Sequence, residues 1–184
     1  MADKAAFREI IRRREQAIPE RQRLDSDELL RQRFLEYVRG SSSETILLFA
    51  GMGLEVDTQP LLETLEGLGK RVCLPHCLPG RAMEARRYDA GHLTRHRYGM
   101  LEPDTCCPVV DKSELDLILV PALCYDRSCF RMGRGGGFYD RYLSDYAGLT
   151  VGLCREALLC DRVPVDPWDR SVDMVLTERE QFGR

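Results

Sequence analysis

Long apolar runs are missing from this sequence. The longest aliphatic stretch, Leu117 to Leu123 with Pro121 inside it, is far shorter than the roughly 20 residues a bilayer core requires, so no membrane partner is expected. The opening residues, MADKAAFREIIRRREQ, contain no apolar stretch of the kind a secretory signal needs. Asp3, Glu9 and Glu15 break up the arginines as acids do not in a transit peptide. A cytoplasmic location is therefore the expectation. A large charge of one sign is also absent: the net charge is −3, unlike a polycation built to neutralise many phosphates. RNA binding by the arginine-rich start is a weak alternative, because Glu9, Glu15 and Glu20 dilute the basic patch. Nucleic acid is not an expected partner. Histidine is scarce, at three residues, and His76, His92 and His96 fall in no evident triad. Cys-x-x-Cys does not occur among the eight cysteines, most of which lie in apolar stretches where a free thiol acts as a small hydrophobe. The metal-like clusters are Cys73-x-x-x-Cys77 with His76, and the pair Cys106-Cys107. Neither has a second ligand pair at zinc spacing, so no structural zinc is expected from them.

What is present describes one globular domain over residues 1–184, with a helical arm over 1–39. Phe7, Ile10, Ile11 and Ala17 mark one face of a helix over 3–17, which Pro19 stops. Ser26, with Asp27 and Glu28, predicts the cap of a second helix reaching about Val38. The pattern then changes. Thr45 to Ala50 is a continuous apolar run, as in a strand buried on both faces. Thr58 opens a helix carrying Leu61, Leu62, Leu65 and Leu68 and ending at Gly69; Arg71 to Leu74 is a strand closed by Pro75. That βαβ order implies parallel strands with a right-handed crossover. Ala82 to Tyr88 reads as an edge strand, Leu115 to Val120 as a buried one, and Leu149 to Leu153 as another. Met174 to Leu176 reads as the last. No internal repeat or low-complexity segment interrupts this α/β order.

The chemistry concentrates in Arg131-Met132-Gly133-Arg134-Gly135-Gly136-Gly137-Phe138-Tyr139-Asp140-Arg141, which follows a buried strand and opens a helix predicted over 138–146. Three consecutive glycines are entropically costly to order. Close approach of backbone amides to an anion is one reason to keep them, and the following helix start and the flanking arginines favour the same ligand. A flexible turn is the plain alternative. The segment is neither a Walker A loop nor a G-x-G-x-x-G fingerprint. Asp140 lies in a first helical turn, where an acid serves either the helix dipole or a phosphate-bound Mg2+.

This segment resembles the signature of the 5-formyltetrahydrofolate cyclo-ligase family, R-L-G-[YR]-G-x-G-[YF]-Y-D-R-[YF]-L after a strand ending in V-P. Four other stretches are similar to that family in order: Lys4-Ala5-Ala6-Phe7-Arg8, Glu55-Val56-Asp57-Thr58, Tyr98-Gly99-Met100-Leu101-Glu102-Pro103, and Pro164 through Glu178 with Asp169, Asp173 and Thr177. Trp168 stands where the family often has His, Phe7 where it has Leu, and Gly51-Met52-Gly53 departs from its usual stretch.

The resemblance implies an α/β single-domain three-layer sandwich with a mostly parallel sheet and N-terminal helices, akin to the phosphosugar isomerase/CoA transferase-like folds. It implies cyclisation of 5-formyltetrahydrofolate to 5,10-methenyltetrahydrofolate by a monomer, with ATP as co-substrate and Mg2+ as cofactor. It assigns ATP contacts to Lys4, Ala5, Ala6, Phe7 and Arg8, and to Arg131, Met132, Gly133, Arg134, Gly135, Gly136, Gly137, Phe138 and Tyr139. Folate contacts fall to Ala50 and Glu55, with Arg134, Gly135, Gly136, Gly137 and Phe138. Arg134 and Asp140 are the catalytic pair, and Asp140 and Asp173 the Mg2+ ligands. Glu55 would accept from a pterin N–H and its adjacent amino group. Phe138 and Tyr139 would stack on a ring or pack in the core. Two other outcomes stay open: an isomerase or transferase relative using the anion loop without ATP, and a non-catalytic nucleotide or folate binder.

Overall fold

A computed structural model of the chain describes residues 3–97 and 99–183. Helix α1 spans Lys4–Ala17, and Asp3 caps it by accepting from the Ala5 amide at 2.8 Å. Helix α2 spans Glu20–Gly40. The predicted start at Ser26 is therefore late. Pro19, with its fixed φ, starts α2 directly. Ser26 and Asp27 are mid-helix and buried, and their polar atoms serve distant elements rather than a cap.

The strands follow. β1 is Thr45–Leu47, α3 is Gln59–Gly67, and β2 is Arg71–Cys77. β3 is Met83–Arg87, β4 Leu93–Arg95, β5 Leu101–Pro103 and β6 Val109–Val110. β7 is Leu117–Val120, β8 Cys124–Tyr125 and β9 Arg131–Met132. Helix α4 is Phe138–Tyr142, β10 Leu149–Leu153, β11 Met174–Leu176 and β12 Gln181–Gly183.

Eight strands form one sheet in the order β12-β11-β10-β7-β1-β2-β3-β6. β11, β10, β7, β1 and β2 run parallel, while β12, β3 and β6 join antiparallel. The β1–α3–β2 crossover is thus parallel, as expected. Three predicted details change. β2 runs through Pro75: the Leu48 amide donates to the Cys73 carbonyl, Pro75 has no N–H to continue that ladder and the pairing with β1 stops, but β2 goes on along β3 with Pro75 opposite Ala85. β3 is not an edge, since β6 pairs outside it. β11 is not last, since β12 folds back on it.

Side-chain alternation builds the three layers. Ile46, Leu48, Val72, Leu74, Leu117 and Leu119 pack with Leu30, Phe34 and Val38 of α2 and Leu61, Leu62 and Leu65 of α3. Their neighbours Leu47, Cys73, Ile118 and Val120 point the other way, against Ile11 of α1, Tyr125 of β8 and Tyr142 of α4. Central strands apolar on both faces are what a covered parallel sheet requires. No helix among the described residues is long and apolar enough to cross a membrane.

A candidate active site at the carboxyl ends of the central strands

β1 sends its connection to one side, towards β2, while β7 pairs on its other side. Such a reversal leaves a crevice beyond the strand ends, where ligands bind in open α/β sheets. A cavity of about 670 Å³ opens there. Ala50 and Met52 after β1, Pro75 and Cys77 of β2, and Pro121 and Ala122 after β7 form its floor. Lys4 and Arg8 of α1, Glu55, and Arg131 through Asp140 complete the wall. This size suits a small ligand.

α1 brings Lys4 and Arg8, one helical turn apart, into this wall. Arg8 Nε donates to the Gly133 carbonyl at 2.9 Å, fixing the helix to the glycine segment. Lys4 pairs with Asp166 at 2.7 Å and with Asp169. Burial opposes the lysine charge, but hydrogen bonds and the charges of these two acids outweigh it and hold the Lys4 pKa above the ordinary value. Ala5 and Ala6 are exposed and Phe7 packs on the core, so none of the three lines the cavity.

The glycines have local reasons to be there. Gly135 has φ 98° and Gly137 φ 66°, both in the left-handed region. A Cβ on Gly135 would sit 3.5 Å from the Arg8 guanidinium carbon, and one on Gly136 2.9 Å from the Phe138 ring. Arg141 Nη2 donates to the Gly136 carbonyl at 2.8 Å. The segment enters from the β8–β9 hairpin rather than directly from β7. The helix after it is shorter than predicted: α4 has five residues and passes into a 3₁₀ turn over Leu143–Asp145. A single turn carries little dipole, so the positive character of this corner comes mainly from Arg8, Arg131 and Arg134.

The arginines are held by acids. Glu55 has 9% side-chain exposure; its Oε1 accepts from Arg134 Nε at 2.6 Å and its Oε2 from the Met52 amide at 3.0 Å. Arg131 donates to Asp140 Oδ1 at 2.5 Å and to the Arg170 carbonyl at 2.8 Å. Asp173 Oδ2 accepts from the Thr150 amide at 2.9 Å and its hydroxyl at 2.6 Å. Asp140 and Asp173 border one groove with Trp168 and Asp169, adjoining the cavity, which Asp140, Trp168 and Asp169 also line. Asp140 lines both the groove and the cavity, whereas Asp173 lines the groove alone and is tied to Thr150 near the start of β10, so the two predicted Mg2+ ligands are not gathered at the cavity. Tyr139 also lines the cavity, and its buried hydroxyl has no hydrogen-bond partner among the described residues. Burial first, then the Glu55 charge, pushes its pKa up and keeps it a neutral donor.

Some contributors were not foreseen. Arg155 holds the Glu55 loop, donating to the Leu54 carbonyl at 2.8 Å and the Glu55 carbonyl at 3.2 Å. Buried Asp27 in turn accepts from Arg155 Nε at 3.0 Å and Nη2 at 2.5 Å. Arg81 also lines the cavity, with an unusual φ of 63° for a non-glycine residue. Arg141 stood inside the quoted segment and was the one that sequence could have flagged. Glu178 proves structural, accepting from Ser26 and from the Glu156 amide. Of the 98–103 stretch, Tyr98 lies outside the described residues, while Met100 and Leu101 line the cavity and Glu102 is buried.

Comparison with known proteins gives this site a context. The model of the 5-formyltetrahydrofolate cyclo-ligase family matches residues 1–178. The 5-formyltetrahydrofolate cyclo-ligase of Escherichia coli (strain K12) is 31% identical over 175 residues, covering 91% of this chain and 96% of that one. The cyclo-ligase of Mycolicibacterium smegmatis is 36% identical over 146 residues, 75% of each chain. The solved structure of Aquifex aeolicus 5,10-methenyltetrahydrofolate synthetase superposes with a TM-score of 0.87 at 26% identity, over 98% of this chain and 92% of that one. A family match over nearly the whole length, relatives spanning both chains and a shared fold lead to one conclusion: the chain belongs to the 5-formyltetrahydrofolate cyclo-ligase family of enzymes.

Proposed function

We propose that this chain cyclises 5-formyltetrahydrofolate to 5,10-methenyltetrahydrofolate, converting ATP to ADP and phosphate. The single observation that carries the reading is one cavity gathering Lys4, Arg8, Glu55, Arg134 and the glycine corner. The formyl group is an amide, and its oxygen is a poor leaving group. In the proposed reaction that oxygen attacks the γ-phosphorus and ADP departs. N10 then closes on the activated carbon and gives up its proton to solvent, and the oxygen leaves as phosphate. Such a reaction asks for positioning and charge neutralisation more than for a strong nucleophile or a poised histidine.

Arg8 and Lys4 neutralise phosphate oxygens from α1, and Tyr139 donates its orphan hydroxyl to the ligand. Arg134 leaves Glu55 for the phosphoryl group, and its 37% side-chain exposure gives it room to swing. The released Glu55 oxygen accepts from the pterin. Asp140 and Asp173 would hold Mg2+, which supplies charge neutralisation on the phosphates.

The test is direct. Purified protein with ATP, Mg2+ and 5-formyltetrahydrofolate should generate the near-ultraviolet absorbance of the methenyl product, and omission of Mg2+ should abolish it. Asp140→Ala should lower kcat/KM by on the order of 10²-fold or more, with the circular dichroism spectrum intact. A folded protein that yields no product from the formyl folate defeats the reading.

A further inference from the structure

Against the cavity wall lies a set of donors that the proposed reaction does not use. Cys77 at the end of β2, His96 just after β4 and Glu102 in β5 each place one ligand atom so that all lie within 4.8 Å of one another. The sequence spacing of the cysteines did not foresee this, because three separate strand segments supply the donors. None is exposed, and the Glu102 side chain is only 8% accessible. The group is held from several sides. Glu102 Oε2 accepts from the Cys77 amide at 3.0 Å, and the His96 amide donates to the Met100 carbonyl at 2.9 Å. β4 and β5 pair in register with Arg95 opposite Leu101.

We propose that Cys77, His96 and Glu102 bind a zinc ion. A thiolate, an imidazole and a carboxylate are zinc donors, and the thiolate disfavours Mg2+ or Ca2+. Three protein ligands leave a fourth position to water, and the thiol releases its proton to solvent as the ion binds. With metal–ligand bonds of roughly 2.0–2.3 Å, side-chain adjustment is enough to close the set around an ion. The consequence is local. Met100 and Leu101 line the substrate cavity, as Cys77 does. The ion clamps the β4–β5 hairpin to β2 and fixes that wall.

A second grouping, His92, Asp104 and Cys106, has exposed members and serves as the internal control. Full-length chain stripped with a chelator is titrated with Co2+, then with Zn2+. The expected result is a thiolate-to-cobalt charge-transfer band with the d–d bands of a four-coordinate ion, saturating at one ion per chain and abolished by Zn2+. The band persists in Cys106→Ser and is lost in Cys77→Ser, while His96→Ala weakens binding at least about tenfold. X-ray absorption of the zinc-loaded wild type shows one sulfur among nitrogen and oxygen donors, which decides the matter even if Cys77→Ser fails to fold. No band in the wild type, loss of the band in Cys106→Ser, or zinc with no sulfur donor overturns the proposal.

Discussion

Asp27 meets the Arg155 guanidinium where neither side chain reaches water, at 7% and 3% side-chain exposure. Removing one partner of such a pair leaves a buried charge uncompensated, which costs about 3–5 kcal/mol. Asp27→Ala should lower the denaturant midpoint accordingly, whereas the double replacement Asp27→Leu with Arg155→Met should recover part of the loss, the Leu54 and Glu55 carbonyls and the Asp57 amide losing their partners. The same variant carries a functional signature. Arg155 holds the carbonyls of Leu54 and Glu55, so Asp27→Ala should raise KM for the folate more than for ATP. Steady-state kinetics with each substrate varied in turn checks this. The sequence concealed the role. An Asp beside a Ser, three residues ahead of an apolar residue, has the look of a cap, and only the partner at position 155 shows that it belongs to the interior. Glu55, Lys4 and Arg8 were legible because the family segments mark them. The family-like stretch 164–178 takes in Asp166 and Asp169, but their pairing with Lys4, like the hold of Arg155 on Glu55 from 100 positions away, leaves no local pattern.

Helix α1 serves two masters, the core through Ile11 and the cavity through Lys4 and Arg8. One turn beyond Ile11 sits Glu15, 6% exposed. Burial raises its pKa above 4.5, partly countered by the charges of Arg134 and Arg155. A carboxyl whose folded pKa is raised binds its proton more tightly when folded. Stability is therefore lost as pH rises through that window and stays lowered at neutrality. Glu15→Gln should consequently melt higher than the wild type at pH 7, and the difference should vanish below about pH 4.5. Thermal melts of both proteins across that range test the sign. Elements themselves were readable where their apolar period was strong, as in α1, α3, β7 and β10. They were misjudged where tertiary pairing decides. Pro75 lies within β2 because pairing with β3 carries the strand past it, and α4 has five residues before the chain passes into a 3₁₀ turn. β12 follows a turn in which the Thr177 hydroxyl accepts from the Glu180 amide at 3.1 Å, a feature with no hydrophobic signature.

At the scale of the molecule, the sheet order puts β1 at the reversal point, and the cavity opens beyond its carboxyl end. The α/β class and the parallel β1–β2 pair followed from the apolar strands and the βαβ unit, and the three layers from the family resemblance; β3 was read as a strand, whereas β6 and β12 were not, since short half-exposed strands resemble loops. The clasp between Lys4 and the two acids Asp166 and Asp169 closes this arrangement. With its pKa raised above 10.5, the lysine contributes fully below that pH and loses its contribution as pH rises through the folded value. Lys4→Met should change global stability by no more than roughly 1 kcal/mol. Amide exchange at the start of α1 should nonetheless accelerate, most visibly at neutral pH, where the wild-type clasp is intact. Mass spectrometry of exchange-labelled peptides from α1 would read this out. The clasp joins residues 165 positions apart. A ribosome must therefore add 165 residues after Lys4 before the first helix can find its seat. The nascent chain carries an unfinished pocket through that whole interval, and competence to bind waits for the segment that holds Asp166 and Asp169.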